Sequence, residues 1–269
     1  MKIPFIKMNG AGNDFVMIDN RDLKTNLTKT QIEHICERHR GVGADGLLAV
    51  EPAQKGGNYR FRYYNSDGGE AEMCGNGARC FARFAQRLSP GANQLAFETI
   101  AGMIHAIFEG TLVRLNLSDP KGFELNKKIK LSDGEFLIHN CNTGVPHAVL
   151  IVDDADKAYV GKYGAEIRYH ADYAPKGTNV NFVQKTGEDS IRVRTYERGV
   201  EGETLACGTG VSASAIVAHY VLGTKTPVKV KVQGGDTLEV DFTVENEQIS
   251  RVFLKGPADF TFSGEIEIE

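Results

Sequence analysis

The chain has 269 residues, 41% hydrophobic and 25% charged, with a formal net charge of −4, the balance of a soluble globular protein with one large or two medium cores. No Lys/Arg cluster offers a footprint for nucleic acid or an anionic surface. No apolar run approaches the roughly 20 residues of a spanning helix, and the opening MKIPFIKMNG has no apolar signal core; the expected setting is the cytoplasm, without nucleic-acid or membrane partners.

In chain order, Phe15–Ile18 is the first apolar, β-rich stretch. Thr28–His39 follows as a helix, opened by Thr28 and Gln31 at capping-box spacing. Tyr59–Tyr64 predicts a strand and Asn76–Leu88 a helix entered through a glycine-rich turn. Strands are then expected at Leu95–Glu98, Met103–Phe108, Leu112–Leu117, Ala148–Val152 and Ile191–Tyr196. Thr209–Leu222 reads as a third helix, again behind glycines, followed by strands at Val228–Val232, Leu238–Val244 and Ile249–Leu254. Glu109-Gly110, Gly234-Gly235 and Glu245–Gln248 are turn signals, so neighbouring strands should form antiparallel hairpins.

The two glycine turns are related. At an offset of 133, the separation of Cys74 and Cys207, Gly69 meets Gly202, Glu70 meets Glu203, Gly75 meets Gly208 and Gly77 meets Gly210. Without a gap the same offset pairs Asn9 with Asn142, Val16 with Val149, Ile18 with Ile151, Tyr63 with Tyr196, Ala82 with Ala215 and Ala85 with Ala218. The chain thus reads as two similar domains in tandem, with a boundary near the strand-breaking Ser118–Gly122.

Each half carries Glu-x-x-x-Cys-Gly-x-Gly before a helix. Unsatisfied N–H groups and the positive end of the helix dipole gather at such a start. A thiol there is expected to ionise more easily, and a carboxylate to bind the exposed amides. Two such thiols on opposite faces of one carbon suit inversion: one takes the α-proton, the other returns one, and the amides hold the carboxylate as charge develops. The remaining cysteines, Cys36, Cys80 and Cys141, read as small core residues. Their odd total and scattered spacing with the other two argue against a disulfide framework.

These blocks closely resemble the diaminopimelate epimerase family. The likeness runs through MNGAGNDFVMIDN (8–20), GVGADGLL (41–48), YYNSDGGEAEMCGNGARC (63–80), GVPHAV (144–149), GTNVNFV (177–183) and YERGVEGETLACGTG (196–210). It implies an α/β fold of α+β type: two pseudo-symmetric domains, each a curved, mostly antiparallel sheet around a central helix, with the active site in the interdomain cleft. The expected domains are 1–118, joined by about 258–269, and 119–257. Cys74 and Cys207 match the family's catalytic pair, and His147 and Glu197 the residues that tune them. Gly75-Asn76 and Gly208-Thr209 match its amide donors. Asn13, Asn65, Asn179, Glu197 and Arg198 match substrate contacts, with Arg198 a natural fork for a distal carboxylate. Many members have Asn where this chain has Val145, which removes one polar contact, and Gln where it has Gly46.

The implied activity is two-base epimerisation of LL- to meso-diaminopimelate, which serves lysine and peptidoglycan-precursor synthesis, by a homodimer. The alternatives are a racemase or epimerase of another amino acid on the same fold, a redox-regulated thiol protein, and a non-catalytic amino-acid binder. No dinucleotide fingerprint, metal-ligand cluster or strong phosphate cup for pyridoxal phosphate is visible, so no cofactor and no metal are expected. Exhaustive dialysis against a chelator should therefore leave epimerase activity intact; activity recovered only with pyridoxal phosphate or a metal would overturn the two-thiol scheme.

Overall fold

A computed structural model describes residues 1–246 and 248–268. Glu247, within the turn expected at Glu245–Gln248, and the last residue of the expected returning segment lie outside the described residues. The chain divides into two compact units, Met1–Leu115 with Gly256–Glu269, and Asn116–Lys255. No described helix is long and apolar enough to cross a membrane.

The first unit runs β1 (Lys2–Gly10), β2 (Asn13–Asp19), α1 (Lys29–Cys36), β3 (Gly46–Pro52), β4 (Tyr59–Asn65), α2 (Gly75–Leu88), β5 (Gln94–Thr99), β6 (Gly102–Glu109) and β7 (Leu112–Asn116). Pairing is antiparallel for β1–β2, β3–β4, β5–β6 and β6–β7, and parallel for β2–β3 and β4–β5. The second unit runs β8 (Lys121–Leu131), β9 (Gly134–Asn142), β10 (Pro146–Ile151), α3 (Val160–Arg168), β11 (Asn179–Lys185), β12 (Ser190–Glu197), β13 (Gly202–Thr204), α4 (Gly208–Leu222), β14 (Val228–Lys231), β15 (Thr237–Glu245) and β16 (Gln248–Pro257). With the short β13 set aside, β9 to β16 repeat the same order: antiparallel, parallel, antiparallel, parallel, antiparallel, antiparallel. The extra strand of each unit is also alike, since β8 pairs antiparallel with β9 and β17 (Asp259–Glu267) antiparallel with β1. The 133-residue offset carries β3 onto β11 from first residue to last, and the first residue of α2 onto that of α4.

Side-chain alternation explains why several strands read as unbroken apolar runs. Phe15 and Met17 of β2 and Leu48 and Val50 of β3 join the core around α2, whereas Val16, Ile18, Leu47 and Ala49 join the core around α1. A sheet buried on both faces leaves no polar side for alternation to reveal. The helix α2 contacts all of β1 to β6, and α4 contacts the corresponding β9, β10, β11, β12, β14 and β15. Being enclosed selects small residues: Gly75, Gly77, Ala78, Ala82 and Ala85 in α2, and Ala213, Ala215 and Ala218 in α4, are buried. Phe81 of α2 anchors one core against Phe61 and Phe97, ring centroids 5.1 and 4.8 Å away.

Two helical expectations are revised. The first helix carries the expected Thr28–Gln31 capping box but ends at Cys36 rather than His39. There the amides of Val42 and Gly43 take the Ile35 carbonyl and that of Ala44 takes Cys36, folding the chain back. The helix α3 was not foreseen: it has no side-chain cap at Tyr159, and Gly161 and Gly164 weaken its intrinsic helical signal. Packing selects it, because Gly164 lies where an added Cβ would stand 2.5 Å from Tyr196 Cβ. Gly164→Ala should therefore lower stability by about 1–3 kcal/mol, read as the urea midpoint. Gly161→Ala, whose Cβ would meet nothing within 4 Å, should leave the midpoint unchanged or raise it; equal losses would show that close packing is not what requires Gly164.

Candidate active site

In the first unit Cys74 is the N-cap of α2, in extended conformation, and its Sγ accepts from the Gly77 amide at 3.5 Å. The thiol is half-buried and Gly75, Asn76 and Gly77 are buried. Asn76 is held from two sides: its Nδ2 donates to Asn13 Oδ1 at 2.6 Å, and its Oδ1 accepts from Arg79 at 3.0 Å. The fully buried Arg79 also donates to the carbonyls of Gly10 at 3.2 Å and Pro257 at 3.1 Å, which compensates the cost of burying its charge.

Asn13 in turn donates to Asp45 Oδ2 at 2.8 Å. Arg38 bridges Asp45 and Asp14, at 2.9 and 3.0 Å, and the buried Lys7 pairs with Asp14 at 2.9 Å and donates to the Gly43 carbonyl. Burial pushes the Asp14 carboxyl up, but hydrogen bonds from Arg38 and Lys7 outweigh it and hold the group below its ordinary value. Asn65 ends β4, exposed, with its backbone closing a turn to Gly68 and Gly69. It shares the Gly46 register with Phe15, so it stands at the same end of the sheet as Asn13.

In the second unit Cys207 is the N-cap of α4 and is buried, with 8% exposure. Its Sγ lies 3.5 Å from Thr209 Oγ1, which lies 3.0 Å from His147 Nε2. On the other side of the ring, His147 Nδ1 meets Asn181 Nδ2 at 3.1 Å, and Asn181 Oδ1 accepts from the Thr195 hydroxyl at 2.9 Å. Burial, reinforced by the positive charge of Arg198, pushes His147 down to about 3, so the imidazole is neutral near pH 7. Asn179 uses its side chain on backbone: Oδ1 accepts from the Arg198 amide at 2.8 Å and Nδ2 donates to the Pro146 carbonyl at 3.3 Å. Glu197 accepts from the Thr204 hydroxyl at 2.9 Å, and Arg198 donates to the Gly177 carbonyl at 3.4 Å.

The expected residues therefore gather as two clusters, one in each unit. Asn13, Cys74, Gly75 and Asn76 form one, with Asn65 at the same sheet end but outside its hydrogen bonds; His147, Asn179, Glu197, Arg198, Cys207, Gly208 and Thr209 form the other. The other three thiols are pushed up to about 12, chiefly by burial, which makes them poor thiolates. Sequence reasoning missed the supporting residues Asp14, Arg38, Asp45, Arg79, Asn181 and Thr195. The one available signal was Asn181: a second asparagine two positions after Asn179, inside an apolar strand, needs a buried partner. Among the described residues no cluster of three or more His, Cys, Asp or Glu could hold a metal ion. A cavity of about 540 Å³ within the second unit, lined by Asp119, Phe123, Ile216 and Tyr220 among others, includes none of these residues.

Known proteins resemble this chain over nearly all of its length. The family model for diaminopimelate epimerase matches residues 5–112 and 139–261. A diaminopimelate epimerase of Aquifex aeolicus (strain VF5) is 45% identical over 278 aligned positions, covering 98% of each chain. Among solved structures, a phenazine biosynthesis protein of the PhzF family from Bacillus anthracis superposes with a TM-score of 0.76 at 17% identity, covering 100% of both chains. A probable proline racemase from Agrobacterium radiobacter K84 gives 0.73 at 15% identity, covering 99% of this chain and 93% of that one. At such identities these two likenesses establish the fold.

The buried neutral His147 has a consequence for acid stability. An unfolded histidine takes up a proton near pH ~6.5, while the folded one resists until about 3. Between those values the unfolded state binds more protons, so this contribution is fully present above the unfolded value and is lost as pH falls toward the folded one. From about pH 7 to about pH 4 the urea midpoint should fall less in His147→Gln than in the unaltered protein. Parallel losses would mean that His147 is not held neutral.

Proposed function

The chain belongs to the diaminopimelate epimerase family and is an isomerase, and from that premise we propose that Cys74 and Cys207 interconvert LL- and meso-diaminopimelate as a two-base pair without a cofactor. The observation that carries this reading is the duplication: in each unit a cysteine N-caps an enclosed helix whose first turn is Cys-Gly-x-Gly. The reaction requires both clusters to serve one α-carbon. A thiolate on one face takes the α-proton and becomes a thiol. The electron pair left behind spreads into the α-carboxylate, where amides of Gly75-Asn76 and Gly208-Thr209 stabilise it. The opposite thiol then delivers its proton to the other face and becomes the thiolate, so the protonation pattern of the pair is exchanged and the centre inverted.

Helix N-terminal N–H groups favour thiolate over thiol, and a carboxylate is the substrate group such a terminus suits. Arg198 supplies a planar guanidinium for the distal carboxylate, with Asn179 fixing its backbone at 2.8 Å and Glu197 beside it for the distal amine. Asn13, bonded to Asn76, and Asn65, at the same sheet end, serve as further contacts for the same substrate. Product diaminopimelate of this kind feeds lysine and peptidoglycan-precursor synthesis.

The test is turnover and deuterium uptake at the α-carbon in deuterated water, with diaminopimelate, lysine, glutamate and proline compared. Diaminopimelate should be preferred, and Cys74→Ala and Cys207→Ala should each lower epimerisation by at least about a thousandfold. Cys36→Ala, Cys80→Ala and Cys141→Ala should stay active. Substantial turnover by Cys207→Ala would defeat the paired mechanism, and a preference for proline would move the chain to another substrate.

A further inference from the structure

Behind Cys207 a row of polar side chains runs Thr195, Asn181, His147, Thr209, drawn from β12, β11, β10 and the head of α4. We propose that Asn181 is a positioning residue that fixes the direction of this row, so that the Thr209 hydroxyl proton points at Cys207 Sγ. Thr195 donates to Asn181 Oδ1 at 2.9 Å, and Asn181 Nδ2 faces both the Ala148 carbonyl, at 3.5 Å, and His147 Nδ1, at 3.1 Å. A carbonyl can only accept, so the amide nitrogen must lie on that side and His147 Nδ1 must be the acceptor. A neutral imidazole that accepts at one nitrogen carries its proton on the other. Nε2–H therefore donates to Thr209 Oγ1 at 3.0 Å. With that lone pair engaged, the Thr209 hydroxyl has its proton to give, and Cys207 Sγ is 3.5 Å away. A donor aimed at sulfur favours its thiolate. No proton leaves any member of the row; it acts as a chain of fixed dipoles.

The surroundings keep the imidazole neutral. His147 faces Asn181 of β11, Thr209 of α4 and through it the N-cap Cys207, the charge of Arg198 just past β12, and Cys141 opposite it on β9, whose thiol is pushed up to about 12 by burial. Gly210 leaves room for the row, since an added Cβ there would stand 2.5 Å from Asn181 Oδ1 and 3.3 Å from both His147 Cε1 and Cys207 Cβ.

The duplicated fold supplies an internal control. At the 133-residue offset Asn181 falls on Leu48 and Gly210 on Gly77. In the first unit a Cβ at Gly77 would meet Leu48 and Phe15 at 3.4 Å, so that place is filled by apolar packing. The strand position under the helix start thus accepts a leucine, and the asparagine answers to Cys207 rather than to the fold.

The proposal rests on reading Cys207 as a reacting thiol, but its measurement does not. In protein carrying isotopically labelled cysteine, the Cβ resonances of Cys74 and Cys207 are followed by NMR against pH. Asn181→Leu and Thr209→Val should each move the Cys207 midpoint up by about one pH unit, a roughly tenfold loss of thiolate at a fixed pH below the midpoint. The Cys74 midpoint should not move, and Thr209→Ser, which restores the hydroxyl, should keep the original Cys207 midpoint. Should Asn181→Leu fail to fold, Asn181→Ala takes its place. An unmoved Cys207 midpoint in the folded Asn181 variant or in folded Thr209→Val overturns the proposal, as does a Thr209→Ser midpoint that follows Thr209→Val. Shifted midpoints in a protein that exchanges no α-proton would uphold the row and defeat the epimerase reading instead.

Discussion

The leading N–H groups of an α-helix have no acceptor inside the helix, and in this chain that constraint is placed where the sheet can use it. Both α2 and α4 are enclosed by six strands each, so the position and direction of their first turns are set by packing on every side. An enclosed helix cannot tilt to send its orphan amides to solvent. The unmet need for negative charge therefore stays beside Cys74 and Cys207, and the glycines and alanines among the buried residues of α2 and α4 are a condition that keeps it there.

The two cysteine clusters share this frame and differ in what supports it. Around Asn13 and Asn76 the support is ionic: Lys7, Arg38, Asp14 and Asp45 compensate one another, and Arg38 is more than half exposed. Lys7 and Asp14 lose hydration on burial, and their mutual pairing with the hydrogen bonds from Arg38 offsets that cost. Around Cys207 the supporting groups are neutral and buried, with His147 at 1%, Asn181 at 0% and Thr195 at 3% exposure. A charge there would be costly, and order comes instead from matching each donor to an acceptor. One thiol is steadied by charges around its neighbours, the other by the direction of a row of dipoles.

The same duplication has been filled in two ways because equivalent positions face different neighbours. Leu48 and Asn181 occupy one place in the two strand patterns, and Asp14 and His147 another. The repeated pairing order needs only extended backbone and apolar contact at most of these points, so side chains at the strand ends under each helix start are free to differ.

Local physical chemistry determined much of this protein from the sequence. The capping box at Thr28, the glycine turns before α2 and α4, and the hairpins around Gly110 and Gly235 are decided within a few residues, where cap and turn chemistry acts. The paired cysteine blocks, and with them the family, were legible because a repeated glycine frame around cysteine is local as well. Tertiary structure decided what has no local signature. The parallel pairings β2–β3, β4–β5, β10–β11 and β12–β14 join strands distant in sequence; α3 forms because Gly164 lets it close on Tyr196; and α1 stops where Val42, Gly43 and Ala44 take its last carbonyls. Asn181, Thr195 and His147 acquire a role only when three strands bring them into one row. A hydrogen bond specifies a partner in space, and the sequence records each residue without that partner.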